Sequence, residues 1–167
     1  MKLRRLLPCI TIVCLAASAW AQDRGNTEVT IKGKKISINY GRPTLRGRDL
    51  LSMAPVGTVW RLGMNEATQI DTAADLTVGG KAVAAGKYTL WLKKTGDTTW
   101  ALNFHPKTGV WGAPELRDGY IAEAPLKFEK AGDSAEQVTI NLSENKGNAV
   151  IKIQWGTLLL SGSLGVK

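Results

Sequence analysis

The sequence predicts an all-β protein, namely an antiparallel β-sandwich or a jelly-roll-like barrel of roughly nine or ten short strands. Apolar and polar residues alternate with a period of two along much of the chain, and turns rich in Gly, Asn and Asp recur at short intervals. No segment shows the apolar periodicity of an amphipathic helix. Because parallel strands need crossover connections, usually helices, a parallel sheet is not expected.

A series of hairpins is the strongest pattern. Residues 29–31 and 36–40 alternate on either side of Gly33, and residues 76–78 lead into Gly79-Gly80, a pair suited to a tight turn. Further strands are predicted at 86–92, at 100–104, near Phe128, and at 138–142, 151–155 and 158–160, with turns at 95–97 and 145–148.

The region between residues 41 and 58 interrupts this alternation, because glycine and proline recur in it. Within it, residues 48–53 are compatible with one helical turn. Short strands are expected at 59–62 and 68–70, joined by a connection over 63–66.

The first 21 residues have the three parts of a secretory signal peptide. Basic residues within 2–5 precede an apolar run over 6–17, and Ala19-Trp20-Ala21 provides the small residues that signal peptidase requires. The run is about 12 residues, whereas a spanning helix needs about 20. We therefore expect cleavage near Ala21 and a periplasmic or secreted protein. A lipid on Cys14 is the alternative, although the residues just before Cys14 are not the usual small pair.

Both cysteines, Cys9 and Cys14, lie in this signal, so residues 22–167 are expected to form a single β domain without a disulfide. Removing three of the 22 basic residues leaves 19 against 14 acidic residues, a net charge of +5. For an exported protein this charge favours a small anionic or sugar-like ligand, or an envelope protein, over nucleic acid. Alternatively, the charge only contributes solubility.

Catalytic chemistry has little support in the sequence. His105 is the single histidine, and we expect it at the surface rather than acting as a base or metal ligand. No metal or cofactor is expected, because a zinc site needs several His or Cys ligands and no glycine-rich phosphate loop is present. A hydrolase acting on envelope glycans stays an alternative, with Glu66 as acid or base. Its second carboxylate would be one of Asp49, Asp71 and Glu115.

One polar segment, residues 40–68, stands out from the alternating strands. Guanidinium groups suit carboxylate, phosphate or sugar groups, and an indole offers an apolar face to a ring. The segment therefore predicts either a ligand pocket or a buried network in which Arg61 or Arg42 pairs with Glu66. The candidate ligand-binding residues are Arg42, Trp60, Arg61, Asn65 and Glu66.

Several motifs in this segment and after it resemble a known family. They are Tyr40-Gly41-Arg42-Pro43, Val59-Trp60-Arg61 with Gly63 and Asn65-Glu66-Ala67-Thr68, Val78 to Leu90 with its glycines, Trp100, and Trp111-Gly112. Together they resemble the family catalogued as domain of unknown function 2911, over residues 27–164. Met64 departs from the small residue expected there. The resemblance implies an exported, bacterial, β-rich domain and carries over no catalytic residue.

Three functions therefore stay open. The favoured one is a non-catalytic module that binds a small ligand or an envelope partner, and the glycan hydrolase is the second. The third is a structural or assembly subunit that uses a sheet face, which an exposed Trp91 would favour.

Overall fold

The computed structural model describes residues 23–111 and 118–167. The predicted signal peptide, Gly112 and Glu115 lie outside these residues. The described chain contains no helix, and therefore none that could cross a membrane. It forms ten β-strands: β1 Arg24–Ile31, β2 Lys34–Gly41, β3 Val59–Arg61, β4 Gln69–Thr72, β5 Leu76–Val78, β6 Lys81–Val83, β7 Gly86–Lys94, β8 Thr99–His105, β9 Ala122–Asn145 and β10 Asn148–Val166.

All ten strands belong to one antiparallel sheet. Its order is β1-β2-β4-β7-β8-β9-β10-β5-β6, and β3 pairs with β7 beyond the end of β4. The sheet folds over itself, because the Tyr40 hydroxyl of β2 donates to the Ile140 carbonyl of β9 at 3.3 Å. The Leu142 amide of β9 likewise donates to Thr27 Oγ1 of β1 at 3.0 Å. The result is a sandwich-like all-β fold that is not closed into a barrel. The prediction of an all-β sandwich is therefore confirmed.

The last two strands are long, whereas the sequence predicted short strands throughout. β9 has 24 residues and β10 has 19. Their pairing continues through two register shifts, on either side of Gly156, which has a φ of 59°. Bulges bend a strand without ending it. The hairpin can therefore contribute one end to the β8 side of the sheet and the other to the face over β1 and β2.

Side chains from the alternating positions form one continuous core. Ile36, Ile38, Ile70, Leu90 and Phe104 are fully buried within it. These residues are the apolar members of the period-two pattern, and their burial supplies the main driving force for folding.

The irregular segment after β2 is attached at both ends. The Leu45 amide donates to the Glu136 carbonyl of β9 at 2.6 Å, and the Gly57 amide donates to the Lys94 carbonyl of β7 at 2.8 Å. Between them, the Met53 amide donates to the Asp49 carbonyl at 3.2 Å, which closes the single helical turn that the sequence indicated. This turn lies beside the candidate site.

Candidate functional site

A half-enclosed cleft of about 350 Å³ lies between β3 and β7 on one side and β9 and β10 on the other. Its wall combines three tryptophans, two arginines and aliphatic residues. The lining residues include Trp60, Trp91, Trp155, Arg48 and Arg61, and the aliphatic members Leu50, Met53, Leu62, Leu92, Val138, Ile153 and Leu158. We call this space the tryptophan cleft.

Trp60 is held by its strand and by a second indole. It pairs with Leu92 across β3 and β7, so the two side chains share one face of the sheet. The Trp60 ring lies 5.4 Å from the Trp100 ring with a tilt of 49°, an arrangement that aromatic pairs favour. Because Trp60 is only half-buried, part of it stays accessible in the cleft.

The Arg48 guanidinium is fixed by the loop that carries it. Its Nε donates to the Leu45 carbonyl at 2.9 Å and its Nη2 donates to the Thr44 carbonyl at 2.7 Å. The guanidinium lies 4.9 Å from the centre of the Trp155 ring, which is a cation–π contact. Arg48 is therefore a pre-oriented positive charge on the wall of the cleft.

The electrostatics of the tryptophan cleft are positive. Among the residues that the structure describes, no aspartate or glutamate lines it. Within the described residues, the ion pairs involve neither Arg48 nor Arg61. Two charges without acidic partners beside an apolar surface favour an anionic ligand.

Three of the predicted candidates lie away from this cleft. Arg42 pairs with Asp23 at 3.6 Å. Glu66 is exposed and lies 4.0 Å from Arg24 rather than pairing with either arginine considered from the sequence. Asn65 occupies a left-handed turn with a φ of 60°, a conformation that asparagine tolerates better than most residues. Of the five candidates, the structure thus places Trp60 and Arg61 together in the cleft.

The glycine and asparagine motifs have a structural role around these residues. A Cβ on Gly41 would overlap the Met64 carbonyl oxygen, so only glycine lets the 63–66 connection lie against the end of β2. Arg24 Nη1 also reaches the Glu66 carbonyl at 3.5 Å. The connection is held in place beyond the end of β3, next to the cleft.

The hydrolase interpretation gains no second group here. Glu66 does not line the tryptophan cleft, and neither does any other carboxylate of residues 23–111 and 118–167. Within residues 23–111 and 118–167, no group of three or more His, Cys, Asp or Glu residues is placed to hold a metal.

The expectation of a surface position for His105 is wrong. His105 is buried, with 8% of its surface exposed, because residues after β8 fold back over it. Its Nδ1 accepts a hydrogen bond from the Lys107 amide at 3.0 Å, and its ring meets Tyr120 edge-on at 6.0 Å. Trp91 is buried too, at 3% exposure, and its Nε1 donates to Thr89 Oγ1 at 3.3 Å. Trp91 therefore offers no exposed surface for assembly.

Comparison with known families is informative about most of the chain. Residues 22–162 match the family described as "Protein of unknown function (DUF2911)". The chain belongs to the DUF2911 family. The match confirms the resemblance that the motifs indicated. Neither the curated proteins nor the solved structures contain a match to the chain.

The sequence did not indicate two of the cleft residues of this DUF2911 chain, Arg48 and Trp155. Arg48 entered only as the first residue of the possible helical turn over 48–53, and Trp155 only as an alternating strand residue. Trp155 stands nearly a hundred residues after Trp60, and no local pattern indicates that the two approach the same space. The one signal that Trp60 and Trp155 share is residue type, since both are tryptophans in strands next to glycine-containing turns or bulges.

Proposed function

We propose that this protein is a non-catalytic module that binds a small ligand with an apolar body and one negatively charged group. The single observation that carries the proposal is the tryptophan cleft, whose wall combines tryptophan and aliphatic residues with Arg48 and Arg61, two arginines that form no ion pair in the described part of the chain. Small-molecule sites have this composition, a mostly apolar wall with a few polar groups that fix orientation.

The volume and chemistry of the cleft indicate how much of the binding energy comes from apolar burial and how much from ion pairing. About 350 Å³ lies within the range of small-ligand pockets. Each buried CH₂ group contributes about 0.8 kcal/mol, so an acyl chain or ring supplies most of the affinity. Arg48 and Arg61 are exposed, and an exposed ion pair contributes only ~0–1 kcal/mol. The two arginines therefore contribute more to the selection and orientation of the ligand than to its affinity.

A thermal-shift series with octanoate and octanol tests this function. Both probes have the same chain length and only octanoate is charged. We expect both to raise the melting temperature and octanoate to bind more tightly, because it alone meets the guanidinium groups. In the Arg48→Gln variant the advantage of octanoate should fall by about fivefold in affinity, which is ~1 kcal/mol.

Arg46→Gln is the matched control. Arg46 lies in the same loop and is exposed, but it does not line the cleft. The Arg46→Gln substitution removes the same charge from the protein as Arg48→Gln. Because Arg46 lies outside the cleft, the affinity for octanoate should equal that of the wild type. Equal weakening in both variants would show that net charge alone attracts the anion, and absence of binding by both probes would refute the proposed function.

Export of the protein is part of the same proposal, and the sequence of residues 1–21 supports it. The ligand would then be met in the periplasm or outside the cell. N-terminal sequencing of the protein from fractionated cells tests this. A chain that begins near Gln22 in the periplasm or medium is expected, whereas an uncleaved cytoplasmic chain or one lipidated on Cys14 would contradict it.

A further inference from the structure

A second cavity adjoins the tryptophan cleft and shares part of its wall. It has a volume of about 220 Å³ and also contains Arg48, Leu50, Trp155 and Leu158. Its other lining residues are Leu45, Leu51 and Gly156 together with three polar residues, Asp49, Ser134 and Thr157. The Arg48 guanidinium on Trp155 thus lies where the two cavities meet, with indoles on one side and a carboxylate with hydroxyl groups on the other.

At this junction, the charged groups of Arg48 and Asp49 do not pair with each other. Arg48 gives its Nε and Nη2 hydrogens to the carbonyls of Leu45 and Thr44 and makes no ion pair with the neighbouring Asp49. Asp49 Oδ1 accepts the Leu51 amide at 3.1 Å, and Asp49 too forms no ion pair within the described residues. Adjacent opposite charges that do not neutralise each other remain available to a ligand.

We infer that the two cavities form one elongated site for a zwitterionic single-chain amphiphile. The site presents an apolar surface, then a positive charge, then a negative charge. The complementary ligand therefore has an apolar chain in the tryptophan cleft, an anionic group at Arg48, and an ammonium group at Asp49, with Ser134 and Thr157 beside it. This inference rests on the proposed function and names the ligand class of the same site.

Octylphosphocholine and methyl octyl phosphate are the probes that test the second cavity. They share the octyl chain and a singly charged phosphate diester, and only octylphosphocholine carries the ammonium. Titration followed by calorimetry should give octylphosphocholine about fivefold tighter binding, the expected effect of one exposed ion pair. Phosphocholine without the chain should bind far more weakly than either, because it buries no apolar surface.

Asp49→Asn is the decisive variant, since its side-chain oxygen can still accept the Leu51 amide. We expect it to abolish the preference for octylphosphocholine, while methyl octyl phosphate binds at least as tightly as before, because a negative charge near its phosphate is removed. Asp133→Asn is the control, because Asp133 is exposed close to Ser134 but lines neither cavity, and it should retain the preference.

The outcomes separate the two proposals. If methyl octyl phosphate binds and octylphosphocholine gains nothing, or if Asp49→Asn keeps the preference, the elongated site is refuted and the tryptophan cleft stands. If neither octyl probe binds, the proposed function fails together with the inference. If phosphocholine binds as tightly as octylphosphocholine, the apolar chain does not occupy the tryptophan cleft and the elongated site is again refuted.

Discussion

The imidazole of His105 is held by a hydrogen bond from the Lys107 amide and by the edge of Tyr120. His105→Ala removes the acceptor and leaves a gap under the residues that follow β8. We expect this variant to lower the free energy of unfolding by about 1–3 kcal/mol, measured by chemical denaturation. His105→Asn retains an acceptor and should cost less. If the alanine variant is as stable as the wild type, His105 does not contribute to stability and behaves as the surface residue that the sequence favoured.

Residue type and alternation predict which strand positions are apolar, but they do not show what covers the other face. His105 and Trp91 alternate with Phe104 and Leu90, so the pattern favoured a surface position for His105 and left the burial of Trp91 open. The structure instead buries both side chains, and at His105 the covering chain is the irregular segment after β8, which contributes the Lys107 amide and Tyr120. Loop paths of this kind depend on tertiary contacts, so period-two patterns carry no information about them.

At the scale of secondary-structure elements, the hairpins and turns follow from the sequence because their signals are local. The turn at 145–148 has Lys146 and Gly147 at positive φ, as its asparagine and glycine content predicted. The length of β9 and β10 does not follow, because the polar stretch around 130–137 looks like a break. That stretch is largely exposed in the structure, yet it continues the strand because β10 supplies hydrogen-bond partners and bulges absorb the mismatch.

The close packing between the end of β2 and the 63–66 connection can be tested by adding one methyl group. Gly41→Ala would drive its Cβ into the Met64 carbonyl, and we expect it to destabilise the protein by about 1–3 kcal/mol in denaturant unfolding. Gly132→Ala adds the same methyl group to β9, where no atom lies within 4 Å, and should be close to neutral. Equal stability of the two variants would mean that the 63–66 connection does not pack against β2.

At the scale of the whole molecule, the tryptophan cleft is assembled from segments that are distant in sequence. The segment around Trp60 could be chosen as a candidate because charged and aromatic residues cluster there, and the structure does place Trp60 and Arg61 in the cleft. Arg42 and Glu66 shared the cluster in sequence but pair with Asp23 and Arg24, and Asn65 lies in the turn after β3. Arg48 and Trp155 join the site only because the loop after β2 crosses the bulged hairpin, which is a consequence of the complete fold.

The most direct test of the cleft is a titration with octanoate followed through the indole N–H resonances in a ¹⁵N-labelled sample. Trp60 and Trp155 lie in the cleft, whereas Trp111 is 61% exposed and outside it, so Trp111 serves as an internal reference. The account predicts saturable shifts for Trp60 and Trp155 with little change at Trp111. Shifts confined to Trp111, or absent from Trp60 and Trp155, would contradict it.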